Sequence, residues 1–286
     1  MLVALRSRRQ IAPFAMHRPT TLAEAIELRQ APGTSAFLAG GIDLIDWLKH
    51  GHAIDRVIRL DGVPGLADIA AGPNLLRIGA MATHAAIADS AAIRSVLPDL
   101  AAVWQGIANP RVRVAGTLGG NVMAGHRDYD GLPALLALGA LAELAAAAGT
   151  TLVPIAELAG AVPAAFAGGT SSLVAGFGIA DPAAQRLHCD RSLRPALTVW
   201  LGLTVAAERV TALRLAIGMA YPVPVCVARP LDMDIAKLGR ESACLARALA
   251  ELVPQPVSDG RATASYRRRM VEVVTRRLLI RAGGTA

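Results

Sequence analysis

Apolar positions in the first sixty residues switch between a helical and a strand period. Leu22, Ala25, Ile26 and Leu28 recur at helical spacing. Thr21 stands as an N-cap with Glu24 three residues on, a capping box, and Pro32-Gly33 ends the run. Ser35-Ala36-Phe37-Leu38-Ala39 is short, apolar and followed by two glycines, the pattern of a buried strand. Asp43 to His50 predicts a second helix, and Arg56-Val57-Ile58-Arg59-Leu60 alternates as another strand. Strand, helix and strand in succession make a β-α-β unit with parallel pairing.

After Leu60 the texture changes. Leu75 to Gly79 predicts a strand, and Ala85–Ser90 and Pro98–Ala108 predict helices, with Asn109-Pro110 breaking the chain before Val112 to Leu118. The apolar stretch Leu132 to Ala148 reads as one long buried helix, and a strand follows at Thr151 to Pro154. Leu173–Phe177, Ala196–Leu203 and Val210–Ile217 are strand-like, and Ile235–Ala250 and Thr263–Ala282 are helical. Gly168-Gly169-Thr170-Ser171-Ser172 supplies a flexible joint, so a domain boundary is placed between Ala167 and Ser172. The fold class expected is α+β, in two domains, 1–170 and 171–286.

Composition narrows the function. With 286 residues, 53% of them hydrophobic and 18% charged, disorder is excluded. Aromatics are 3%, too few for stacking a run of bases. Among the 29 basic residues only Lys49 and Lys237 are lysines, and the excess behind the net charge of +7 concentrates at Arg6 to Arg9 and in the seven arginines from Arg261 to Arg281. Charge alone is a weak argument for nucleic acid, and none is expected as a partner. The Arg267-Arg268-Arg269 and Arg276-Arg277 runs read as a solvated helix face, with docking of an acidic partner subunit as the second reading. Cys189, Cys226 and Cys244 lie far apart without a C-x-x-C pair, so neither a disulfide framework nor a metal or iron–sulfur site is expected of this chain. No apolar run is long enough for a membrane span and no signal peptide is read, so a cytoplasmic location is expected.

The most informative local feature is Leu38-Ala39-Gly40-Gly41-Ile42-Asp43, two glycines between a buried strand and a helix start, which suits a phosphate at the helix N-terminus. About eighty residues on comes a second loop, Gly116-Thr117-Leu118-Gly119-Gly120-Asn121, where Thr117 and Asn121 add side-chain donors. Together they can grip one pyrophosphate from opposite sides with open amides; the plainer reading is two tight turns. Neither is G-x-G-x-x-G or G-x-x-x-x-G-K-[ST]. His50 and His52 read as solvated loop, His84 as either cofactor-proximal or a hydrogen-bonded structural histidine, and Asp128 with Asp130 as turn residues. Ser171, Ser172 and Cys189 lack a base in any nucleophile motif.

The order of these motifs resembles the FAD-binding medium subunit of the molybdenum hydroxylases, the family of carbon monoxide dehydrogenase and the xanthine dehydrogenases. His17 to Ala25 resembles the family's opening, Leu38 to Leu44 its first flavin loop A-G-G-T-D, and Leu76 to His84 the stretch after it. Arg113 with Gly116 to Asn121 is similar to the second loop, R-N-x-G-T-I-G-G-N. Leu215 to Met219 with Pro222 and Pro224, and Ala264 to Arg267, are similar to the C-terminal domain. The resemblance implies an N-terminal domain of a small β-α-β subdomain (about 1–62) and a larger mixed one (63–170), then a C-terminal domain of a small antiparallel sheet with helices. It implies FAD at Ala39, Gly40, Gly41, Ile42, Asp43, Thr83, Thr117, Leu118, Gly119, Gly120, Asn121 and Asp130, with no catalytic acid or base. It further implies an electron-transfer subunit that takes electrons from iron–sulfur clusters on a small subunit. A large subunit's molybdenum cofactor oxidises the substrate, and an acceptor such as NAD or a quinone takes the electrons.

Departures from the pattern are Ile42 in place of a small polar residue, Arg111 and Val114 before the second loop, and His126-Arg127-Asp128-Tyr129 where relatives have small residues and a proline. These motivate an alternative, a flavin-free scaffold or assembly subunit with the same fold.

Overall fold

The computed structural model describes residues 11–159, 172–191 and 195–284. Three sheets follow one another along the chain. The first is three-stranded and parallel, from β1 (Ala15–His17), β2 (Ser35–Leu38) and β3 (Arg56–Arg59) in the order β1-β3-β2. Its crossovers are the helices Leu22–Gln30 and Ile42–Lys49. The capping box forms with a shift: Thr21 Oγ1 accepts from Glu24 N at 3.1 Å, while the Glu24 carboxylate takes the Thr20 amide at 2.8 Å.

The second sheet is five-stranded and antiparallel, from β4 (Ile69–Ala71), β5 (Leu75–Gly79), β6 (Leu141–Ala146), β7 (Gly149–Pro154) and β8 (Leu173–Ala180). Its order is β4-β5-β8-β6-β7. Between β5 and β6 the chain makes short helices at His84–Asp89, Ala91–Val96, Pro98–Trp104, Pro110–Ala115, Leu118–Met123 and Gly131–Leu138. Leu76, Ile87, Leu100, Trp104, Leu135 and Phe177 fill the core between them and the sheet. Across the central strand, Arg77 on β5 and Glu143 on β6 pair at 2.7 Å. They pass over Gly176 of β8, where a Cβ would stand 2.9 Å from Glu143 Oε2.

The third sheet is antiparallel and four-stranded, from β9 (Gln185–Asp190), β10 (Thr198–Ala206), β11 (Arg209–Gly218) and β12 (Val225–Asp234), in the order β12-β11-β10-β9. The helices Ser242–Leu252 and Ala264–Ala282 pack on it through Leu245, Leu249, Val271, Val274 and Leu278 against Leu201, Leu203 and Leu215. The α+β class is what the structure has.

Several expectations are corrected. Leu132 to Ala148 is not one helix: Gly139, left-handed at φ 61°, caps a helix ending at Leu138, and β6 follows. Asn109-Pro110 does not merely break the chain; Asn109 Oδ1 caps Val112 N at 3.1 Å and Pro110 starts a helix. The helix expected at Ile235–Ala250 is a 3₁₀ turn, Ile235–Lys237, and then Ser242–Leu252. The joint at 167–171 lies outside the described residues, but β8, expected to open the C-terminal domain, pairs with β5 and β6 in the middle of the second sheet. Arg267 is not solvated: it is fully buried, donates to Ala196 O at 2.8 Å and Val257 O at 2.5 Å, and forks onto Asp259 at 2.8 Å. Arg269, Arg276, Arg277 and Arg281 stay exposed.

Candidate functional site

A cleft of about 370 Å³ opens between the first two sheets and is lined by both glycine loops, a volume within the rough range of 300–1,000 Å³ for small-molecule sites. The loops meet there. A Cβ at Gly40 would lie 1.9 Å from Ala115 O, and one at Gly120 would lie 3.8 Å from Ala39 Cβ.

At the first loop the chain leaves β2 and enters the Ile42–Lys49 helix through Gly41, left-handed at φ 74°. No side chain caps this helix. Its first amides have no acceptor within the helix and carry the positive end of its dipole. Gly40, Gly41 and Asp43 line the cleft, as do Ala39 and Ile42, whose side chain is 38% exposed.

The second loop is arranged otherwise. Leu118 N donates to Ala82 O at 2.9 Å and Gly119 N to Ala80 O at 2.8 Å. Gly120 N donates to Thr117 Oγ1 at 3.1 Å and Asn121 N to Thr117 O at 2.9 Å. The expectation of opposed open amides on both sides therefore fails at this loop, because its amides are used internally. What it offers the cleft is glycine surface, the Thr117 hydroxyl proton and the Asn121 side-chain amide, whose Oδ1 accepts from Gly131 N at 2.9 Å. Thr83 and Leu118 do not line the cleft: Thr83 Oγ1 caps Ala86 N at 3.1 Å, and Leu118 is fully buried.

Asp130 is 4% exposed, and burial pushes its carboxyl up to about 6 despite an ion pair with Arg191 at 3.1 Å. Arg191 also donates to Gly106 O at 2.6 Å, while its Nε is buried without a partner. The sequence reading missed Arg191, which no motif marks, and Arg29, which lines the cleft with its guanidinium 5.6 Å over the Phe37 ring. His84 fits both readings, since it lines the cleft and is also hydrogen-bonded: Trp104 Nε1 donates to its Nδ1 at 3.2 Å, and burial lowers its ring to about 4. His50 and His52 are exposed, His52 stacked on Trp47 at 4.2 Å. Among the described residues no His, Cys, Asp and Glu side chains gather at metal-holding distance, and no helix is long and apolar enough to cross a membrane.

Asp128, Tyr129 and Asp130 line the cleft as well, and the His126–Asp130 segment joins the first loop to the C-terminal part of the chain. Tyr129 Oη donates to Asp43 Oδ1 at 2.6 Å, and burial followed by this carboxylate holds the phenol above its usual range. Arg127 pairs with Asp259, and Arg261 with Asp128 at 2.6 Å.

A cleft between a parallel β-α-β unit and a second, antiparallel subdomain, with an uncapped helix end on one wall, is the architecture of a site for a phosphate-bearing cofactor. The whole fold matches quinoline 2-oxidoreductase from Pseudomonas putida 86 with a TM-score of 0.80 at 22% identity, covering 96% of this chain and 98% of that one. Residues 12–175 match the family described as the FAD binding domain in molybdopterin dehydrogenase. The carbon monoxide dehydrogenase medium chain of Afipia carboxidovorans is 30% identical over 285 residues, 96% of this chain and 98% of that relative. The nicotine 6-hydroxylase medium subunit of Paenarthrobacter nicotinovorans is 29% identical over 282 residues, 93% and 95% of the two. The chain belongs to the FAD-binding medium subunits of the molybdenum hydroxylase family, and is an oxidoreductase subunit whose cofactor is FAD.

Proposed function

We propose that this chain holds FAD in the cleft and relays electrons between iron–sulfur clusters of a small partner subunit and a final acceptor such as NAD or a quinone, while a large molybdenum subunit oxidises the substrate. The observation that carries the reading is the uncapped N-terminus of the Ile42–Lys49 helix, facing the cleft beside the second glycine loop. Its amides would hold the pyrophosphate. Gly119 and Gly120 would allow close approach from the other side, with Thr117 and Asn121 donating hydrogen bonds. Asp130, held by Arg191, would accept from the flavin end, and Phe37, Met81 and Leu173 would exclude water. When bound, FAD supplies one- and two-electron redox chemistry; the protein's contribution is placement and electrostatics. Exposed Arg269, Arg276 and Arg277 are proposed as the face that docks an acidic partner, so co-purification should weaken with salt.

The test is the visible spectrum of the purified chain, with noncovalent FAD expected near one per chain. Protein that is colourless and gains no flavin absorbance on incubation with FAD would overturn the reading in favour of a flavin-free scaffold.

A further inference from the structure

Asp43 is in an unusual position for an anion-binding helix end. It lies in the first turn of the Ile42–Lys49 helix, where a carboxylate is drawn to the free amides and the positive dipole. A carboxylate resting there would occupy the donors that a phosphate needs and would repel the phosphate as well. Yet no side chain caps this helix. The Asp43 carboxylate is engaged elsewhere, by the Tyr129 hydroxyl at 2.6 Å.

Tyr129 is itself held from behind. Its ring lies against His126, with centroids 4.9 Å apart. Arg127 pairs with Asp259, which is fixed in turn by the fork of fully buried Arg267, and Arg261 holds Asp128 at 2.6 Å. The Arg127 carbonyl accepts from Met219 N at 3.2 Å. The segment before Asp130 is thus anchored on the third sheet and its neighbours, and extends one hydroxyl to the first subdomain.

We propose that Tyr129 is a positioning residue that draws the Asp43 carboxylate off the helix end and so keeps the amides free for a diphosphate. The proposal rests on the FAD reading above, and names which residue of this chain keeps the phosphate site open.

The test compares equilibrium binding of FAD and of ADP, which carries the diphosphate without the flavin, across Tyr129→Phe, Asp43→Asn and the double variant. Losing one hydrogen bond to a charged group, and releasing that charge onto the amides, should weaken both ligands about tenfold in Tyr129→Phe. Asp43→Asn, which still accepts from Tyr129 but carries no charge, should bind both ligands more tightly than Tyr129→Phe. The double variant should recover most of the loss, since nothing charged is left to compete. The unfolding midpoint of flavin-free Tyr129→Phe should not fall, because the freed carboxylate stays in the first turn, where the helix dipole favours it. Four outcomes overturn the proposal: unchanged binding in Tyr129→Phe, a loss confined to FAD, a double variant no better than Tyr129→Phe, or a lowered flavin-free midpoint with no rescue. Wild-type protein that binds neither ligand would overturn the FAD reading itself, a distinct result.

Discussion

The two glycine loops look alike in sequence and work differently. At the first, Gly41 turns the chain at φ 74° into a helix that nothing caps, so donors are left over for a ligand. At the second, Thr117 caps Gly120 N, and Leu118 and Gly119 spend their amides on the carbonyls of Ala82 and Ala80. One loop is an open donor set; the other lines the cleft with its backbone amides already used internally, and its glycines provide room. A glycine pair after a strand therefore says that backbone comes close to something, and only hydrogen-bond accounting says whether that something is a ligand or the protein itself.

Substitutions can break this contrast. The largest effect should come from Gly119→Val, whose Cβ would stand 2.7 Å from Ala80 Cβ and 2.8 Å from Ala80 O. It should cost on the order of 3 kcal/mol of stability, read as a lowered thermal midpoint of flavin-free protein. An unchanged midpoint with lost FAD would mean that the second loop is as open as the first. Next, Gly41→Val puts a β-branched residue where φ is 74°, with strain of about 2 kcal/mol. Relieved by distorting the helix end, that strain should cost FAD affinity about thirtyfold in an equilibrium titration, with a smaller midpoint change than Gly119→Val.

Asp130 sharpens the comparison through pH. Its folded carboxyl is raised to about 6 by burial, above the unfolded value of about 3.9, so the folded state binds the proton more tightly. Its contribution favours the fold at low pH and is lost as pH rises through 6. Asp130→Asn should flatten the stability profile between about pH 4 and 6 and raise the flavin-free midpoint at pH 7.5. A profile identical to the wild type's would show that Arg191 fully compensates the burial. The smallest effect is expected of Thr117→Val, which removes the cap on Gly120 N and should cost about 1 kcal/mol of stability. FAD affinity should fall by no more than the stability does; a larger fall would make the Thr117 hydroxyl a principal phosphate donor.

Much of the fold was legible because its signals are local. The capping box at Thr21 and Glu24, the β-α-β period and the loops bracketing one cleft are all written within a few residues. What escaped depends on distant partners. Leu132 to Ala148 has no polar residue to mark a period apart from Glu143, whose role is to meet Arg77 on another strand. Gly139 alone divides helix from strand there. Arg267 looks like its neighbours Arg268 and Arg269, and is buried because Asp259, Ala196 and Val257 converge on it. In the same way Arg191 gains its place from Asp130, sixty-one residues earlier in the chain.

The middle position of β8 has a consequence for how the polypeptide is made. Synthesis runs from the N-terminus, so β4, β5, β6 and β7 leave the ribosome before the strand that joins the two pairs. Until Ala180 emerges, β5 and β6 each present a long unpaired edge, and the Arg77 and Glu143 side chains have no Gly176 to pass over. The cleft, whose wall includes Leu173 and Val174, is likewise incomplete until then. A nascent chain halted at residue 170 should thus be sensitive to protease and one halted well past 180 resistant.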